Sequence, residues 1–123
     1  IGMRLPAAFT ATGKALLSEF EPSALQTLFA GGLPDPMTAY SVGSLEELQK
    51  ELEETRQRGF SIDDGQIREG MICIGTVVHN HTGDAVAGLA ISLTRSEATT
   101  KKIKMLGERL VIAGNAISRN LGA

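Results

Sequence analysis

The sequence predicts an α+β fold, an antiparallel sheet with helices packed on one side of it. Three observations carry this. Two apolar runs, Met71–Val78 and Ala85–Leu93, flank the polar turn Asn80-His81-Thr82-Gly83-Asp84 and read as a hairpin. Ser44 to Arg58 opens with the capping-box pattern formed by Ser44 and Glu47, and carries a stripe of Leu45, Leu48 and Leu52. Glu97 to Asn120 repeats apolar residues every three or four positions (Ile103, Leu106, Leu110, Ala113, Ile117, then Leu121), the pattern of a long helix that packs across the hairpin.

The remaining elements follow in order. Leu5 to Ala8 is extended, because Pro6 biases its predecessor away from helix. Thr10-Ala11-Thr12-Gly13 leads into a helix from Lys14 to Phe20. Pro22 suits the first turn of a second short helix, with Ala24, Leu25, Leu28 and Phe29 inward and Gly31-Gly32 as its stop. Leu33 to Tyr40 contains Pro34 and Pro36 and reads as a loop, with a short strand near Thr38–Val42. The surface helix is supported by the pairs Glu46–Lys50 and Glu54–Arg58 and stopped by Gly59. Phe60 to Asp63 is a short strand, and Asp64 to Gly70 a polar connection.

Composition narrows the function classes. A chain of 123 residues with 42% apolar residues builds one domain around one core. A net charge of −2 gives no basic footprint for nucleic acid. One cysteine forbids an internal disulfide and suits the cytosol. No apolar run approaches the roughly 20 residues that span a bilayer. Arg4 precedes only a short mixed segment, so no signal peptide is visible. The chain opens on Ile1 rather than Met and reads as a piece of a longer protein.

Side chains alternate faces along a strand. With the turn centred on Thr82-Gly83, Cys73 opposes Ser92 and Gly75 opposes Ala90. One face of the hairpin then carries Met71, Cys73, Gly75, Val77, Gly88, Ala90, Ser92 and Thr94. The other carries Ile72, Ile74, Thr76, Val78, Ala87, Leu89, Ile91 and Leu93, an ordinary core surface. The first face is small and weakly polar, which leaves room above the sheet for a small molecule.

Several groups invite a chemical reading, each beside a plainer one. Thr10-Ala11-Thr12-Gly13 precedes a helix, where free amides attract anions, or where Thr10 or Thr12 simply caps the helix. Gly13-Lys14 lacks the remaining spacing of a phosphate loop. Asp63, out of phase with Ile62, points toward the small-residue face as an acceptor, or serves with Asp64 as a solvated strand end. Cys73 is a small buried hydrophobe or a pocket-lining thiol beside Ser92. As a nucleophile it lacks a local base, since His79 and His81 lie at the far end of the hairpin. Those two histidines share a strand face without further ligands for a metal. Lys101, Lys102 and Lys104 form a small basic patch with no interleaved aromatic residue. The residues therefore leave open a small-molecule sensor, a cysteine-dependent enzyme and an oligomerisation module without ligand.

Three motifs resemble the effector-binding domain of IclR-type bacterial transcriptional regulators. They are Leu5-Pro-Ala-Ala-Phe-Thr-Ala-Thr-Gly13-Lys14-Ala15-Leu16-Leu17, Gly59-Phe-Ser-Ile-Asp63-Asp64, and Glu69-Gly70-Met71-Ile72-Cys73-Ile74 with its hairpin and Leu89-Ala90-Ile91-Ser92. Their order and intervals cover essentially the whole chain. The resemblance implies a GAF-like antiparallel sheet with helices packed on it, here without the module's first strands. It implies that DNA is read by a separate N-terminal domain absent from this chain. It also implies a homodimer or homotetramer in the cytoplasm, no membrane, no cofactor, no catalytic activity and a small organic acid as effector. Residue by residue, the ligand contacts implied are Ala11 and Thr12 beside Gly13, Asp63, Cys73, Ala90 and Ser92, with an apolar wall of Leu5 and Met71. Some members carry Gly-Ala in place of Ala11-Thr12 and serine in place of Ala90.

Overall fold

A computed structural model describes residues 6–122 of the chain. The element order is α1 (Ala11–Leu17), α2 (Pro22–Leu28), α3 (Leu45–Arg58), β1 (Ser61–Asp64), β2 (Met71–His79), β3 (Ala85–Thr94) and α4 (Thr100–Asn120). The strands form one antiparallel sheet in the order β1-β2-β3. The α+β class and the hairpin register agree with the sequence reading: Cys73 pairs with Ser92, and Gly75 with Ala90. The ladder shifts between Val78 and His79. Beside that shift the His79 N–H donates to Ser118 Oγ on α4 at 2.9 Å.

The helices lie on both faces of the sheet, not on one. On the branched face, Ile74 packs with Phe60 and Leu110, flanked by Leu89, Ile91, Ile103 and Leu106, beneath α4. On the opposite face sits α1, backed by α2 and α3. A second core fills the space between those three helices, where Phe9, Leu25, Leu48 and Leu52 are fully buried. The sequence stripes do not distinguish one layer from two, because every amphipathic helix reads alike whichever face it covers.

Gly75 sets how close α1 comes. A Cβ there would stand 2.6 Å from the Ala11 carbonyl carbon and 2.9 Å from the Thr12 nitrogen. At Gly88 it would stand 3.0 Å from Thr12 Cγ2. The small residues on this face therefore serve two purposes. Gly75 and Gly88 admit a helix, which covers the middle of the face on β2, while its Met71–Cys73 end and the exposed β3 positions Ala90, Ser92 and Thr94 stay open. The expectation of a hollow along the whole face is corrected to that extent.

Four local expectations also change. The first helix begins at Ala11, three residues early, because Thr10 is its N-cap. Residues 11–13 are thus its first turn rather than a loop. In α2 only Leu25 is buried, while Ala24 is exposed and Leu28 is 55% exposed. Thr38–Val42 is not a strand. In α4 the buried positions run Gly107, Leu110, Gly114, Ser118, whereas Ala113, Ile117 and Leu121 face outward. Close approach selected that seam: a Cβ on Gly107 would overlap the Phe60 ring at 2.4 Å. By contrast α3 runs as its sequence indicates, with Ser44 Oγ accepting the Glu47 N–H at 3.1 Å and Gly59 left-handed at its end. No helix among the described residues is long and apolar enough to cross a membrane.

Candidate functional site

Three strands bring three polar side chains into one row. Asp63 of β1 pairs with Cys73 of β2, which pairs with Ser92 of β3. All three lie on the face that α1 covers only in part. In the next row Ser61 and Gly75 are buried beneath α1, while Ala90 at its β3 end is exposed. There the buried Ser61 hydroxyl donates to the Ala11 carbonyl and holds the helix start against the sheet.

Beside α1 the row opens into a depression of about 290 Å³. Its floor is Asp63, Cys73, Met71 and Ala90; Thr10, Ala11 and Thr12 form one wall, and Ile67 with Arg68 the other. Of the residues singled out in the sequence, Ala11, Thr12, Asp63, Met71, Cys73 and Ala90 thus come together around one space. Ser92 stands at its margin, with Oγ 3.2 Å from Cys73 Sγ. Gly13 does not join them. Its N–H is taken by Thr10 Oγ1 at 2.9 Å, and a Cβ on it would point into the Ala7 carbonyl oxygen at 2.3 Å. Leu5 lies outside the described residues.

Asp63 is the electrostatic centre of this depression. Asp63 is 3% exposed, and burial pushes its pKa above the ordinary value. The Gln66 N–H, which donates to Oδ1 at 2.8 Å, and the nearby Lys14 ammonium oppose that rise without cancelling it. Lys14 is itself fully buried. It donates to Glu51 Oε1 at 2.7 Å and to the Ile62 carbonyl at 3.3 Å. The neighbouring Asp64 turns the other way and pairs with exposed Arg95.

Sequence reasoning missed Lys14, Glu51, Gln66, Ile67 and Arg68. Residues 66–68 sit in a connection with no periodicity, so nothing local marks them as a wall. In the sequence Lys14 is marked only by its place in the first motif and by a phosphate-loop pattern that it does not complete. Burial of its ammonium depends on α3, more than thirty residues away in sequence.

The competing chemistries find less. Cys73 Sγ meets the Ser92 hydroxyl, which is no base, and makes no hydrogen bond to the Asp63 carboxylate beside it, which accepts from the Gln66 N–H. The His79 imidazole is engaged by both oxygens of Glu19, at 2.7 and 2.8 Å. Among the described residues no three side chains of metal-ligating type cluster. Four wider depressions exist among the described residues, three of about 450 Å³ and one of about 390 Å³, and in two of them the lining arginine is already engaged. Arg56 binds Glu53 and the Ser18 carbonyl in one, and Arg95 binds Asp64 in the other.

Comparison with known proteins points the same way as the fold. Residues 1–119 match the family described as bacterial transcriptional regulator IclR C-terminal. The HTH-type transcriptional regulator XynR of Escherichia coli K12 is 33% identical over 122 residues, 99% of this chain and 48% of that protein. The HTH-type transcriptional repressor AllR of Klebsiella pneumoniae is 31% identical over 122 residues, 99% of this chain and 45% of that protein. The chain thus spans about half the length of these curated relatives. Among solved structures, the Agobacterium tumefaciens repressor BlcR superposes with a TM-score of 0.96 at 57% identity, over 100% of this chain and 50% of that one. The C-terminal domain of the E. coli regulator KdgR gives 0.90 at 28% identity, over 100% and 75%. The chain belongs to the IclR family of bacterial transcriptional regulators, of which it represents the C-terminal domain.

Proposed function

We propose that this chain is the metabolite-sensing part of its regulator and that a small organic acid binds over the Asp63–Cys73–Ser92 row. The observation that carries this reading is the open end of the small-residue face, where polar groups from three strands converge in a depression beside α1. The groups divide by charge. Asp63 repels a carboxylate and accepts a hydrogen bond from a ligand hydroxyl or a water. The carboxylate end then lies toward Arg68 and the start of α1, within reach of the Ser92 hydroxyl. Gly13 contributes shape rather than a hydrogen bond, since Thr10 already uses its amide.

Ligand binding shifts an equilibrium between subunit arrangements of a dimer or tetramer. DNA contact by a separate N-terminal domain follows that shift. The ligand moves the equilibrium only by its differential affinity for the two arrangements. The printed names of the relatives support a DNA-directed role, since XynR and AllR are HTH-type transcriptional regulators. The test is a thermal-shift screen of small hydroxy-, oxo- and aromatic carboxylates, with calorimetry on any acid that raises the melting temperature. Saturable binding to the parent supports the reading, and a flat response across the set contradicts it.

A further inference from the structure

Asp63 is held from behind by a chain of contacts that no pocket residue makes on its own. Gln66 donates its backbone N–H to Asp63 Oδ1 at 2.8 Å. Gln66 is itself 6% exposed, and its side chain is bonded at both ends. Gln66 Oε1 accepts the Val42 N–H at 3.1 Å, and Gln66 Nε2 donates to Glu51 Oε1 at 2.9 Å. The same Glu51 oxygen accepts the buried Lys14 ammonium at 2.7 Å. Ser41 Oγ donates to the Gln66 carbonyl at 2.6 Å, and Thr38 Oγ1 to the Gly65 carbonyl at 2.6 Å. The 38–42 segment and α3 thereby fasten the turn that follows Asp63, which continues into the Ile67–Arg68 wall. A buried amide with both ends satisfied is a rigid clamp, because letting go leaves a desolvated donor or acceptor without a partner.

We propose that Gln66 is a positioning residue of this pocket: clamped between Val42 and the Lys14–Glu51 pair, it fixes the Asp63 carboxylate against the cavity floor. The proposal rests on the reading of this depression as the ligand site, but its test needs no effector. Cys73 lines the same space and reports on the field there. Iodoacetate (anionic) and iodoacetamide (neutral) alkylate the same thiolate, so the ratio of their rates cancels the thiol's own titration. The charged groups around Asp63 are Lys14 from α1, Glu51 from α3, Asp64 beside it on β1 and Arg68 from the wall. Ionisation of a fixed Asp63 therefore appears as a fall in the ratio with rising pH, relative to glutathione.

The experiment measures that ratio from pH 4 to 8 on the parent, on Gln66→Met, and on Gln66→Asn, whose amide is one methylene too short to reach both Val42 and Glu51. The parent ratio is expected to fall about fourfold across the range, the effect of one unit charge seen through mostly aqueous surroundings. In both variants the fall flattens toward that of glutathione. A folded Gln66→Met with the parent's profile overturns the proposal. Should Gln66→Met fail to fold, Gln66→Asn decides: a flattened profile supports the clamp, and a parent-like fall overturns it. Parent-like behaviour of the ratio alongside a flat carboxylate screen would sink the sensor reading alone.

Discussion

Gly75 lies directly beneath Ala11, so close that no Cβ fits between the sheet and the helix backbone. That contact divides the small-residue face into a covered half and an open half, and thereby shapes the candidate pocket. Gly75→Ala pushes against the Ala11 carbonyl and the Thr12 nitrogen, which are backbone and cannot rotate away. The expected loss is about 2–3 kcal/mol of stability, measured by urea unfolding. Gly88→Ala presses on the Thr12 side chain and makes only ordinary contact with the Thr76 carbonyl at 3.5 Å, and its expected cost is about 1 kcal/mol or less. Equal losses at the two positions would show that α1 shifts freely over the sheet.

The Lys14–Glu51 pair is asymmetric, since the lysine side chain is 1% exposed and the glutamate 31%. Removing Glu51 strands a buried ammonium, whereas removing Lys14 frees a carboxylate that reaches water. Glu51→Ala is therefore expected to destabilise the fold by about 3 kcal/mol or more, and Lys14→Met by less, about 1–2 kcal/mol. Chemical denaturation of the two variants checks the order. The reverse order would mean that solvent reaches the Lys14 ammonium.

Asp63 gives a pH signature. Its folded pKa is raised by burial, so its protonated form favours the fold. That contribution is complete below the ordinary aspartate value and disappears as pH rises through the raised one. Asp63→Asn mimics the protonated form and still offers an oxygen to the Gln66 N–H. The variant is expected to gain stability relative to the parent between pH 4 and pH 7, as read from unfolding midpoints at both. A relative loss over that interval would show that Lys14 and the Gln66 amide outweigh burial.

The hairpin was legible from two alternating runs about one polar turn, and a turn centred on Thr82-Gly83 gives the observed Cys73–Ser92 pairing, while alternation carries no sign of the shift between Val78 and His79. The α3 helix was legible from Ser44, Glu47 and Gly59, which are local signals. Six pocket residues could be placed around one space because strand alternation and the family motifs selected the same side. What escaped depends on contacts distant in sequence. Nothing near Lys14 shows that Glu51 will cover it. Nothing near Gln66 shows that Val42 and Glu51 will hold its two ends. In α4 the apolar count favoured Ile117 and Leu121, but glycines chose the seam.

Ser92 tests the polar end of the row. Its hydroxyl meets Cys73 Sγ and borders the depression on a half-open strand. Ser92→Ala is expected to leave the fold intact and to weaken binding of a carboxylate effector by about 1 kcal/mol or more, as measured by calorimetry. Unchanged affinity would move the carboxylate away from β3.

The central claim is that the open end of the small-residue face receives the ligand, and filling that space tests it most directly. Ala90 is exposed on β3 and contributes to the cavity floor, so Ala90→Leu occupies the cavity without burying a polar group. Calorimetric titration of a carboxylate that binds the parent is expected to give no measurable binding to Ala90→Leu at an unchanged melting temperature. Equal affinity in parent and variant would contradict the account.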